Sequence, residues 1–151
     1  MHRGCTVLAM DCVLAGAEMH RGRPLNSVVR RHLIRALRSY VTAMRATSRF
    51  GRASRFREKG RIVEALAAAR GALEIMARPG VVRTNPAEVA VISCATVLVE
   101  ELARELKQPG ADPRDISDTL ASIRAAGGGS DYESWVPYLE SRLNQGDASA
   151  V

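Results

Sequence analysis

The sequence predicts an all-α fold, a compact bundle of about five to six helices. Three observations carry this. Apolar residues recur at three- and four-residue spacing along successive stretches of the chain. Alanine, leucine and valine supply most of the apolar content, with only six aromatics: Tyr40, Phe50, Phe56, Tyr132, Trp135 and Tyr138. No segment alternates apolar and polar residues for long enough to read as a strand. The length of 151 residues suits one domain able to bury a core.

The elements follow in order. Val7, Met10 and Leu14 predict a short helix over residues 6–19, and Gly22-Arg23-Pro24 breaks the chain after it. Residues 1–24 are therefore expected as a loosely attached segment. Asn26 or Ser27 can cap the next helix, over 27–47, whose face of Val29, Leu33, Leu37, Tyr40, Val41 and Met44 is expected to turn inward. Gly51 weakens helix continuity and Gly60 marks a boundary. A helix from about Arg61 to Ala77 carries the stripe Ile62, Leu66, Ala69, Leu73 and Met76, and Pro79-Gly80 ends it.

Asn85-Pro86-Ala87-Glu88 is a helix start: Asn85 caps, Pro86 suits the first position, and Glu88 can reach back as in a capping box. That helix runs to about Lys107 with Ile92, Ala95, Val99, Leu102 and Leu106 on one face, and Pro109-Gly110 stops it. Asp112-Pro113-Arg114-Asp115 repeats the start, and Ile116, Leu120 and Ile123 follow on the inner face. Gly127-Gly128-Gly129 is a flexible break. Ser130-Asp131-Tyr132-Glu133 reads as a capping box before Trp135, Leu139 and Leu143, with Pro137 either kinking this last helix or marking its start. Residues 145–151 form a frayed tail.

Charge divides the chain. Residues 1–60 carry 13 Lys/Arg against 3 Asp/Glu, and residues 61–151 carry 9 against 13, for a net charge of +6. A basic half beside an acidic half points to a polyanionic partner, self-association or internal complementarity.

Catalytic and metal-binding patterns are missing. The histidines His2, His20 and His32 and the cysteines Cys5, Cys12 and Cys94 form no C-x-x-C or H-E-x-x-H spacing. There is no G-x-S-x-G, no phosphate-binding glycine loop and no dinucleotide fingerprint. Glu100, Glu101 and Glu105 cluster on one helix beside Arg104 and Lys107, as on a solvated face. The expectation is a non-enzyme without metal or cofactor.

An odd cysteine count fits reduced thiols in a cytoplasm. Residues 4–17 have the outline of a signal peptide, ending in Ala15-Gly16-Ala17, but Asp11 interrupts the apolar run and argues against export. The apolar run Val89 to Val99 is too short to span a membrane.

Two short stretches resemble known families. In residues 53–79, Ala53 and Phe56, the turn glycine Gly60, then Glu64-Ala65-Leu66 and Ala72-Leu73-Glu74 resemble one tetratricopeptide hairpin, although Arg49 and Arg52 stand where that family carries Trp and Leu. The resemblance implies an alanine-rich helix crossing and peptide or protein binding. In residues 101–126, Glu101 to Leu106 followed by Asp112 to Arg124 resemble a helix-turn-helix, with a longer turn and three acids, Asp112, Asp115 and Asp118, on the helix that would read DNA.

The strongest single feature is basic. Arg31, Arg38, Arg45 and Arg52 recur every seven residues, with Arg35 and Arg49 between them. At about 100° per residue they share roughly a third of a helix circumference. Phe50, Phe56 and Arg55 interleave with the last of them, and arginine planes and phenylalanine rings both stack on unpaired bases. These nine residues are the candidate partner- or polyanion-binding set. The expected function is a non-catalytic helical protein-interaction module, an adaptor or small subunit of an assembly. The alternative is a nucleic-acid-binding protein using the arginine face. Self-association is also open, and no membrane partner is expected.

Overall fold

A computed structural model describes residues 27–79, 81, 83, 86–127 and 130–148. The expected helix over 6–19, the break at Gly22 to Pro24, Cys5, Cys12, His2, His20, the caps Asn26 and Asn85, Gly128, Gly129 and the tail residues 149–151 lie outside them. The chain groups into two units, Met1–Arg38 and Ser39–Val151.

The fold is all-α. Helix α1 spans Ser27–Glu58, α2 Ile62–Met76, α3 Pro86–Leu106, α4 Pro113–Ala125 and α5 Val136–Ala148, with a single 3-10 turn at Glu133–Trp135. No strand occurs among the described residues, and no helix among them is long and apolar enough to cross a membrane. In the first unit the described residues, 27–38, are the opening turns of α1.

The second unit is a helical bundle in which α2 packs on α3, α3 on α4, and α4 on α5. Helix α3 is the centre. Ile92, Ala95, Thr96, Val99, Glu100, Leu102 and Ala103 are each at most 1% exposed, and Ser93, Val97 and Leu98 are buried too. The expected stripe of α2 is buried at Leu66, Ala69, Leu73 and Met76, joined by Ala65, Ala68 and Ala72. The inner face of α4 is Ile116, Leu120 and Ile123, as predicted. Leu139 anchors α5.

Helix α1 departs from expectation in two ways. It runs through Gly51 to Glu58, because the turn beyond is fixed by Ala53, buried in the core, and by Phe56 packed against it. Its fully buried residues in the second unit are also small: Ser39, Ala46 and Ala53 are buried, whereas Val41 and Met44 are 43% and 53% exposed. The expected inward face is thus an outward one at these positions. The helical register accounts for it: at about 100° per residue Ser39, Ala46 and Ala53 lie within roughly 40° of one another on the core side, and Val41 and Met44 fall on the opposite half. The α1–α2 turn closes on Gly60, whose φ of +69° lies in the left-handed region that glycine adopts freely. Its N–H donates to Arg57 O at 2.9 Å and Arg61 N–H donates to Phe56 O at 2.9 Å.

The helix starts are met in part. Asp112 caps α4, its side chain accepting from Arg114 N–H at 2.8 Å, with Pro113 in the first position. Helix α3 begins at Pro86, and the capping-box bond expected of Glu88 would fall on Asn85, outside the described residues; Glu88 also has a second role. It is 0% exposed, and Oε1 accepts a hydrogen bond from the Ser39 hydroxyl, tying α1 to α3. Ser130 Oγ accepts from Tyr132 N–H at 3.2 Å and opens the 3-10 turn instead of a helix. Pro137 then sits second in α5 and marks its start.

Candidate interaction surface

The exposed side of α1 collects most of the predicted set. In the first unit Arg31, Arg35 and Arg38 are exposed, and Arg31 Nε donates to Ser27 O at 3.3 Å. In the second unit Arg45, Arg49, Arg52 and Arg55 are exposed. Arg55 Nε donates to Gly51 O at 3.2 Å along its own helix. Arg49 lies beside Gly71 of α2, where an added Cβ would be 3.9 Å from Nη1.

Six acids pair with other arginines. Glu101 pairs with Arg57, and Glu64 with Arg61 at 2.8 Å. Asp115 and Asp118 pair with Arg83 at 2.5 and 2.6 Å. Glu140 pairs with Arg124 at 2.6 Å, and Glu100 with Arg142 at 3.2 Å. Among the described residues no ion pair involves Arg45, Arg49, Arg52 or Arg55. These four keep their charge toward solvent, next to Val41 and Met44.

The two phenylalanines are not free: Phe50 lies round the helix from the arginines, and Phe56, though four residues after Arg52, is partly buried. Phe50 and Phe56 pack against the core, and the Arg61 guanidinium covers the Phe56 ring at 4.8 Å from its centroid. Neither ring lies free on the arginine side for stacking on a base.

Several carboxylates turn out to be internal. Glu100, expected on a solvated face, is 1% exposed. Its Oε1 accepts from Ala111 N–H at 2.7 Å, and Oε2 accepts from the Tyr138 hydroxyl at 2.9 Å and from Arg142 Nε at 3.2 Å. It thereby holds the α3–α4 loop and α5 to the central helix. Burial and this bond push the Tyr138 hydroxyl above its ordinary range. Tyr132 is pushed up likewise by burial and by donating to Cys94 Sγ at 3.1 Å.

Arg83 acts the same way from the α2–α3 connection. Burial opposes its charge, yet hydrogen bonds to Asp115 and Asp118 outweigh this and raise its pKa. Burial raises Asp115 in spite of that partner. The helix that resembles a DNA-reading helix therefore turns Asp115 inward.

Two hollows complete the surface. One of about 340 Å³ is lined by Arg70, Arg83 and Arg114 with Glu74, Asp112 and Asp115, around the start of α4. Its acids balance its arginines, and Arg70 is bonded to Gln108 Oε1 at 3.2 Å and Pro109 O at 2.5 Å. The other, about 260 Å³, is an aromatic notch of Trp135 and Tyr138 with the Arg104 guanidinium 5.8 and 5.5 Å from their rings. Neither aligns a nucleophile with a base. No cluster of three or more His, Cys, Asp or Glu that could hold a metal occurs among the described residues.

Compared with known proteins, the chain matches no protein family, no curated protein and no solved structure.

Proposed function

We propose that the chain is a non-catalytic helical interaction module, an adaptor or small subunit of a cytoplasmic assembly, that engages a protein through the exposed side of α1. One observation carries the reading. Arg45, Arg49, Arg52 and Arg55 stand without carboxylate partners among the described residues, beside solvent-facing Val41 and Met44. Charge combined with exposed aliphatic surface suits a protein interface. The alanine-rich α1–α2 hairpin, with its likeness to a tetratricopeptide unit, is compatible with this role.

The test is recovery of a partner from nuclease-treated lysate of the source cells. The wild-type chain retains the partner and the Arg45→Glu/Arg52→Glu variant loses it, with unchanged circular dichroism. Retention by both would reject α1 as the interface. Nucleic-acid binding is the second reading, favoured by the run of exposed arginines. It requires affinity for duplex DNA that falls with salt at a log–log slope of about −0.9 per phosphate neutralised, and recovery that nuclease abolishes.

A further inference from the structure

We infer that the exposed side of α1 in the second unit docks a partner α-helix whose apolar seam is flanked on one side by aspartate and glutamate. This rests on the module reading and names the chemistry of the partner.

The register of the helix sets out the surface. Val41, Met44, Ser48 and Gly51 follow one another at spacings of three, four and three, which is the seam spacing of paired helices. Val41 and Met44 are 43% and 53% exposed. Ser48 and Gly51 are small and let a second backbone come close. At about 100° per residue, Arg45, Arg49 and Arg52 run along one flank of this seam and Arg55 stands at its end. The other flank is Tyr40, Thr47 and Ser54, neutral up to Glu58 at the last residue of the helix. Methionine adds adaptability, since its unbranched chain fits irregular partner surfaces.

The one-sided charge selects the occupant. A second copy packed antiparallel brings equivalent flanks together, arginine against arginine, which is repulsive. Packed parallel, the arginines meet neutral residues and gain nothing. A polyphosphate satisfies the arginines but leaves Val41 and Met44 uncovered, and Phe50 and Phe56 are packed against the core and not available to stack. An amphipathic helix with a short aliphatic seam and an acidic flank meets both requirements, in the manner of a helix laid along a complementary face.

The experiment uses the full chain and three synthetic helical peptides with leucine and isoleucine at their seam positions. Their flanks carry glutamate, glutamine or lysine. Fluorescence anisotropy at low and moderate salt reads the binding, with heparin as a competing polyanion. The glutamate peptide is expected to bind about tenfold tighter than the glutamine peptide, a difference of about 1.4 kcal/mol, and to weaken with salt. Val41→Asp/Met44→Asp should abolish binding. Arg45→Glu/Arg52→Glu should transfer the preference to the lysine peptide, a rescue that a merely unfolded variant cannot give.

Equal binding of the glutamate and glutamine peptides overturns the inference. So does heparin binding that is indifferent to Val41 and Met44, which assigns the face to polyanions. So does a dimer in sedimentation that Val41→Asp/Met44→Asp dissolves, which assigns it to a second copy. If no peptide binds while a cellular protein is still retained through Arg45 and Arg52, the docking inference falls and the module reading stands. If the arginine variant changes neither measurement, both fall.

Discussion

The carboxylate of Glu100 fills the space where a side chain on Gly110 would begin. A Cβ there would lie 2.7 Å from Glu100 Cδ and 2.8 Å from Oε2. The carboxylate cannot retreat, because Ala111 N–H, Tyr138 and Arg142 hold it from two sides of the core. Gly110→Ala should therefore cost about 1–3 kcal/mol, as overpacking does. Gly51→Ala is the contrast: nothing lies within 4 Å of its added Cβ, and it stands inside a helix. That change should stabilise by roughly 0.5–1 kcal/mol. Urea unfolding of both variants checks the pair, and equal midpoints would contradict it.

Ala65 and Ala72 are both 0% exposed on α2, in the cluster that also holds Ala46 and Ala53 of α1. Replacing either by leucine should lower stability by about 1–3 kcal/mol. Ala67, exposed on the same helix, should accept leucine with a change within about 0.5 kcal/mol. Thermal or denaturant midpoints decide this.

The side chains of Arg83 and Asp115 are 10% and 8% exposed. Arg83→Met leaves the aspartate buried without its main partner and should cost about 3–5 kcal/mol at neutral pH, while Arg83→Met/Asp115→Leu should recover much of it. The pH dependence has a defined sign. Burial raises the Asp115 carboxyl above its ordinary value of 3.8, so the folded chain holds this proton more tightly than the unfolded one. The share of stability it contributes is fully present below 3.8 and is lost as pH rises through the raised folded value. In Arg83→Met that loss should extend to higher pH. Unfolding curves at acid and neutral pH, with carboxyl chemical shifts, measure both effects.

Much of the bundle was legible in the sequence because its signals are local. Leu66, Leu73 and Met76, or Ile116, Leu120 and Ile123, mark a buried face by spacing alone, and Asp112-Pro113 announces a helix start through bonds to its own next turn. What stayed hidden depends on distant partners. Glu100 sits between charged neighbours and reads as solvated, and the groups that make it internal, Tyr138 and Arg142, lie 38 and 42 residues away. The orientation of α1 was missed for a related reason. Hydrophobicity ranks Val41 and Met44 above Ala46 and Ala53, but the side of α1 that the rest of the core covers is the one carrying Ser39, Ala46 and Ala53. The arginines were legible as exposed. The phenylalanines beside them were not legible as core, since an aromatic at the edge of a basic run carries no sign of which way it turns.

The enclosure of α3 bears on how the second unit comes apart. A helix covered on nearly every side cannot release its amide hydrogens by fraying, so Ile92 to Leu102 should exchange with deuterium only when the whole unit opens. The free energy obtained from those amides should equal that from denaturant. Amides near Asn144, at the exposed end of α5, should exchange through smaller openings. Ser93 Oγ and Thr96 Oγ1 lie buried within that segment, and Glu88 Oε2 just before it, without hydrogen-bond partners among the described residues, so the helix expected to be best protected also holds unsatisfied polar atoms. Exchanging Thr96 for valine, which keeps the shape and removes that hydroxyl, would slow the opening of the unit instead of hastening it.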